Sequence, residues 1–115
     1  MIMAEPMRGE VWLVGLDPTK GKEQRGQRPS LVVSTNTFNR GPADLVVVLP
    51  ITSKGKGIPL HVQIEKSEGG VKTTSFAMTE AVRSISKQRL GKRWGNVSGA
   101  TMAAVEDRLR ILLEL

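Results

Sequence analysis

Cysteine is absent from the 115 residues. Disulfides, zinc–thiolate sites and thiol nucleophiles are therefore excluded, and a chain of this kind is expected in the cytoplasm. Histidine occurs once, at His61, so two histidines cannot work as acid and base within one chain. On a strand between Leu60 and Val62, and with no identified partner, His61 reads as a structural residue. Tyrosine is absent, and the aromatic residues are Trp12, Phe38, Phe76 and Trp94 alone. Nucleobase platforms use two or three exposed rings, and most of these four are expected in the core. No apolar run approaches membrane-spanning length, and the segment 1–7 holds no apolar stretch of signal-peptide length. No spacing supports a Ser-His-Asp triad, a metal site, a dinucleotide fingerprint or a P-loop. Neither a metal nor another cofactor is expected.

What the chain has is positive charge. Seventeen Lys and Arg face eleven Asp and Glu, a net charge of +6. A small basic domain points to a polyanionic partner, nucleic acid first. With so few rings, contact with phosphate is favoured over base stacking. Five cations and no acid lie between Arg83 and Arg93 (Arg83, Lys87, Arg89, Lys92, Arg93).

Length and pattern imply one domain over 1–115. Strands are expected at Val11–Val14, Leu31–Val33, Leu45–Thr52, Leu60–Glu65, Ser75–Met78, Val82–Ile85 and Arg93–Val97, from β-branched runs and alternation. Pro50 has no amide hydrogen for a ladder and marks an edge or a bulge. One helical turn fits between Asn36 and Pro42, and another between Lys87 and Leu90. The last segment is a helix capped by Ser98, with Met102, Val105, Leu109 and Leu112 on one stripe and Glu106 spaced to pair with Arg110. Short strands followed by one helix make a small antiparallel barrel with a helical cap.

The polar stretch from Lys20 to Pro29 joins the first two strands and carries Lys20, Lys22, Arg25, Arg28 and one acid, Glu23. Loops between strands are where small β domains carry binding groups. Arg28 precedes Pro29, which biases it to extended backbone at the start of a buried strand. With histidine and cysteine chemistry unavailable, Arg, Lys, Thr, Ser and Glu remain. Such a set can bind a phosphodiester and stabilise charge that builds on it.

Taken in order, Arg8-Gly9-Glu10-Val11-Trp12-Leu13-Val14, Leu16-Asp17-Pro18-Thr19, Gly21-Lys22-Glu23-Gln24, Arg28-Pro29 and Pro50-Ile51-Thr52-Ser53 resemble the MazF/PemK (Kid) family of toxin endoribonucleases. The segments Val82–Ile85 and Lys87–Leu90 resemble the family's later part. The resemblance implies an SH3-like barrel, a homodimer, metal-independent cleavage of single-stranded RNA, and inhibition by a cognate antitoxin. The family's catalytic arginine falls on Arg28 and its threonine on Thr52. The supporting loop acid and amide fall on Glu23 and Gln24, and in the PemK branch a catalytic acid falls on Glu80. Substrate contacts are expected from Lys20, Lys22, Glu23, Gln24, Arg25, Ser53, Lys54, Lys56 and Arg83.

The chain also departs from the pattern. It has Met78 where the PemK branch has an arginine and Lys22 where that branch has a histidine. Roles that need those groups do not carry over. Glu80 reads either as general base or as a surface acid, and Arg28 is the other candidate base. Two further readings fit the same composition: a non-catalytic toxin of the CcdB type that binds a protein target, and a plain RNA-binding barrel. The three basic segments, Lys20–Arg28, Lys54–Lys56 and Arg83–Arg93, are expected to form one groove that takes RNA or the acidic C-terminal tail of an antitoxin.

Overall fold

The computed structural model describes residues 5–15 and 26–115. Among these, the strands are β1 (Glu10–Gly15), β2 (Gln27–Val32), β3 (Leu45–Thr52), β4 (His61–Ile64), β5 (Ser75–Met78), β6 (Arg83–Ser86) and β7 (Leu90–Asn96). A one-turn helix α1 (Asn36–Asn39) precedes β3, and a helix α2 (Gly99–Leu113) follows β7. Short 3-10 turns lie at Glu68–Gly70, Thr79–Ala81 and Lys87–Arg89.

All described strand pairs are antiparallel, in the order β4-β5-β3-β2-β1-β7, with β6 also on β3. Strand β3 is the hub. Its first half pairs β6 (Leu45↔Ser86 to Val48↔Arg83), and its last two residues pair β5 (Ile51↔Ala77, Thr52↔Phe76). Pro50 therefore lies on a central strand and not on an edge. It falls where β3 has left β6 and has not yet met β5, so on that side no ladder bond is asked of its nitrogen.

The three central strands are apolar on both faces because each face has its own core. Val11, Leu31, Leu49 and Ile51 join Val62, Ile64, Ala77 and Val105 in one cluster. Trp12, Val14, Val32, Val46 and Val48 join Ile85 in the other. Alternation along β1, β2 and β3 sends successive side chains to the two clusters. Of the four aromatic residues only Trp12 is buried; Phe38 is exposed and Phe76 and Trp94 are half-buried, so the expectation that most lie in the core does not hold. The buried Trp12 donates its indole N–H to Glu10 Oε1 at 2.9 Å, which satisfies both buried polar groups.

Helix α2 begins where Ser98 implies. The Ser98 hydroxyl accepts from the Thr101 N–H at 3.1 Å. Glu68 adds a second cap, accepting from the Ser98 N–H at 2.9 Å and from the Thr101 hydroxyl. Val105 is fully buried, and Met102 and Leu109 pack on the first cluster. Glu106 does not pair with Arg110. It binds Arg8, whose guanidinium also donates to the Val33 carbonyl. That long-range bridge ties the helix to the start of the sheet.

Strand β2 starts at Gln27, four residues before the apolar run that announced it. Arg28 is thus an interior strand residue, opposite Val14 of β1. Strand β7 likewise starts at Leu90, within the basic segment.

Candidate active site

Arg28 and Thr52 come from neighbouring strands. The β2–β3 register runs Val32↔Val48, Leu31↔Leu49, Ser30↔Pro50. Arg28 lies two residues beyond the last of these pairs on β2 and Thr52 two residues beyond it on β3, so alternation puts both on the same face of the sheet. Arg28 is exposed and Thr52 half-buried. A strand fixes both backbones, which loop residues alone would not do.

The Thr52 hydroxyl is oriented by the chain itself. Its Oγ1 accepts from the Lys54 N–H at 3.2 Å. That bond occupies a lone pair and leaves the hydroxyl hydrogen to donate outward. A strand-end threonine closing such a turn is a common structural device. Here the same hydroxyl belongs to a residue that lines a cleft with Arg28.

A cleft of about 340 Å³ opens beside this pair. It is lined by Gln27, Arg28 and Pro29 of β2, by Ile51, Thr52, Ser53 and Lys54, and by Val71, Lys72, Thr73, Ser75 and Trp94. No carboxylate is among these residues. Of the residues expected at the site, Arg28 and Thr52 from the catalytic set and Ser53 and Lys54 from the contact set line this cleft. Gly55 lies against the Phe76 ring, where an added Cβ would come within 2.7 Å of a ring carbon. The stretch after β3 therefore packs down on β5 directly behind Thr52.

Other anticipated residues stand elsewhere. Lys56 is exposed and does not line the cleft. Arg83 is exposed opposite Val48, four residues along β3 from Thr52 and so roughly 13 Å away. Three of the five cations between Arg83 and Arg93 are held by their own chain. Lys87 donates to the Asn39 carbonyl at 2.7 Å, Arg89 to the Gly15 carbonyl at 3.0 Å, and Arg93 lies 3.5 Å from Glu10. Of these only Arg93 faces an acid; Lys87 and Arg89 keep their charge but are tethered to backbone carbonyls. Lys20, Lys22, Glu23, Gln24 and Arg25 lie outside the described residues.

Glu80 is outside the cleft. Its Oε2 is 2.7 Å from Nε2 of His61, which supplies the partner that the sequence did not reveal for that histidine. The imidazole is nearly buried, at 5% exposure, and its Nδ1 has no partner among the described residues. In a neutral ring the unpartnered buried nitrogen is the one without hydrogen, so Nε2–H donates to the carboxylate. His61 thus orients Glu80.

The residues that the sequence did not single out are Lys72, Thr73, Ser75 and Trp94. Ser75 comes from the start of β5, whereas Lys72, Thr73 and Trp94 come together where the turn Glu68–Gly70 packs on β7. A Cβ on Gly70, whose φ is +80°, would lie 2.6 Å from the Trp94 carbonyl oxygen. Only glycine fits there.

Three comparisons bear on this geometry. The profile of the family described as "PemK-like, MazF-like toxin of type II toxin-antitoxin system" matches residues 7–113. The chain is 36% identical to endoribonuclease MazF9 of Mycobacterium tuberculosis over 113 residues, covering 94% of this chain and 96% of that protein. It is 42% identical to endoribonuclease PemK of Escherichia coli over 108 residues, covering 92% and 80%. Among solved structures, an endoribonuclease from a mycobacterial species superposes with a TM-score of 0.80 at 28% identity, covering 100% of this chain and 97% of that one. A MazE–MazF crystal structure from Deinococcus radiodurans gives 0.83 at 28% identity, covering 97% and 98%.

Proposed function

Since the chain belongs to the PemK-like, MazF-like toxins of type II toxin–antitoxin systems and is an endoribonuclease, we propose that it cleaves single-stranded RNA at selected sequences without a metal ion. The observation that carries the reading is the Arg28–Thr52 pair. Two donors, one charged and planar and one neutral, line one cleft that has no acid among its described lining residues.

The reaction is an internal transfer. The ribose 2′-oxygen attacks the adjacent phosphorus, a new 2′-O–P bond forms, and the bond to the 5′-oxygen breaks. The 2′-hydroxyl loses its proton and the departing 5′-oxygen gains one. The products carry a 2′,3′-cyclic phosphate and a 5′-hydroxyl. Negative charge builds on the non-bridging oxygens in the transition state. The Arg28 guanidinium can meet two of them at once, and the Thr52 hydroxyl can donate to one. Lys54 and Ser53 extend the contact along the backbone. Two residues are candidates for removing the 2′ proton, Arg28 and Glu80. A guanidinium is protonated at physiological pH, so that role at Arg28 would need a neutral form that is rare.

The partners of this reading are single-stranded RNA, a second copy of the chain, and a MazE/PemI-like antitoxin with an acidic C-terminal tail. The basic balance of the chain supports the first and the third. A complex of a mycobacterial endoribonuclease with its cognate antitoxin, at 28% identity and a TM-score of 0.77, supports the third. The exposed Ile111 and Leu113 on the last turn of α2, with Leu115 just beyond it, support the second.

The test is incubation of purified protein with single-stranded RNA in excess EDTA. Cleavage that leaves cyclic-phosphate ends is expected. Intact RNA in EDTA with restored cleavage on adding Mg²⁺ would overturn the metal-independent reading.

A further inference from the structure

Trp94 stands at a break in the sheet. In the β1–β7 ladder Val11 pairs with Gly95, but Trp12 pairs with Arg93, so Trp94 is the extra residue of a β-bulge. A bulge redirects one side chain out of the strand's alternation. Its backbone is clamped from above by the Gly70 turn, which leaves no room for a side chain there. The result is a half-buried indole in the wall of the same cleft that holds Arg28 and Thr52. Lys72 and Thr73, on the segment that leaves the Gly70 turn, line the same wall and are exposed.

From this juxtaposition we propose that Trp94 and Lys72 form a nucleotide subsite beside the reacting phosphate: the indole stacks on one RNA base while the Lys72 ammonium contacts a neighbouring phosphate. The proposal rests on the endoribonuclease reading above and adds to it a base-binding element that fixes the register of the strand in the cleft. A single-stranded substrate has unstacked bases whose apolar faces seek an aromatic surface. The cleft volume is in the range of small-ligand sites and accommodates one nucleotide. The charge that surrounds the ring is positive, from Arg28, Lys54 and Lys72, as a base flanked by phosphates requires. Trp12, the other tryptophan, is buried and bonded to Glu10, so it is unavailable for the same task.

The location of the two tryptophans makes the test direct. A cleavable RNA is replaced by one methylated at every 2′-oxygen, which binds without reacting, and is titrated into the parent protein while intrinsic fluorescence is read. Trp94 emission is expected to be quenched, and the quench to vanish in Trp94→Phe, where Trp12 alone emits. Trp94→Phe should keep most of the affinity because a ring remains. Trp94→Leu should lose roughly 5- to 150-fold, the range for loss of one stacked base. An abasic position scanned along the RNA should reproduce that loss at one site in the parent and cost nothing further there in Trp94→Leu. Lys72→Ala should reduce the slope of log affinity against log salt by about 0.7, as for one phosphate on a single strand.

RNA binding with no quench, or abasic losses that are the same at every position, overturns the subsite while leaving the nuclease reading intact. Both readouts use the parent, so they decide the matter even if Trp94→Leu fails to fold. A parent protein that neither binds nor cleaves any single-stranded RNA overturns the nuclease reading and the subsite with it.

Discussion

If Arg28 and Thr52 hold the same phosphate, removing both should cost less than the product of removing each. Both line one cleft, each two residues beyond the last β2–β3 pair, Ser30↔Pro50, so one ligand can meet both side chains. Arg28 is exposed, so Arg28→Ala should change stability by less than about 0.5 kcal/mol. Its loss removes a charged donor from the transition state, about 3–4 kcal/mol or roughly 10²–10³ in rate. Thr52→Ala removes a neutral donor to a charged oxygen, about 1.5–3 kcal/mol or roughly tenfold to a hundredfold. It also releases the Lys54 N–H bond, so the turn after β3 loosens and stability falls by about 1 kcal/mol. Independent action predicts a double variant slower by the product of the two factors. Shared action on one phosphate predicts a coupling of about 0.5–3 kcal/mol, with the double variant faster than that product by roughly twofold to a hundredfold. The assay is single-turnover cleavage of a defined RNA in EDTA, with thermal melts to confirm that each variant is folded. Strict additivity would show that the two residues serve different phosphates. Folded Arg28→Ala that cleaves within about threefold of the parent would refute the mechanism itself.

Other outcomes follow from other contacts. Glu80→Gln keeps the shape and the bond with His61 but lacks a base, so it should slow cleavage by on the order of a hundredfold with an altered pH profile if Glu80 takes the 2′ proton; an unchanged rate and profile would leave Glu80 as a structural partner of His61. Partial burial pushes the Glu68 carboxyl up, but donors from the Ser98 N–H, the Thr101 and Ser98 hydroxyls and the Glu65 N–H outweigh it and hold its pKa below the ordinary 4.5. A depressed carboxyl stabilises the fold above its unfolded value and loses that contribution as pH falls through its folded value. The melting temperature of the parent should therefore exceed that of Glu68→Gln at pH 6, and the gap should narrow as pH is lowered below about 4.5; a gap that is constant with pH would refute the cap. Ile111→Glu should shift a dimer towards monomer in sedimentation without unfolding it, because Ile111 is 61% exposed and supports no core of its own; a parent that sediments as a monomer would remove the dimer from the proposal.

What the sequence determined alone is what short-range physics controls. Strand β3 was bounded at both ends by its continuous β-branched run and the turn residues beyond it. Helix α2 was marked by Ser98 and by the spacing of Met102, Val105 and Leu109, because capping and amphipathic stripes are properties of a few consecutive residues. The proposed pairing of Arg28 with Thr52 came through the family pattern, and the fold brings both residues to one cleft. Tertiary structure decided everything that joins distant segments. Glu106 met Arg8 and not Arg110, since a partner across the sheet won over a partner one turn away. His61 acquired Glu80, and three cations of the Arg83–Arg93 run were taken by carbonyls and by Glu10. The start of β2 extended over polar Gln27 and Arg28 because β1 offered a ladder there, which overrides weak local preference. Trp94 is the sharpest case. Its neighbours in sequence give it no special place, and only the register slip of β7 against β1, with the Gly70 turn packed over it, brings the indole to the cleft. A bulge is a mismatch between two strands, so neither strand's sequence contains it.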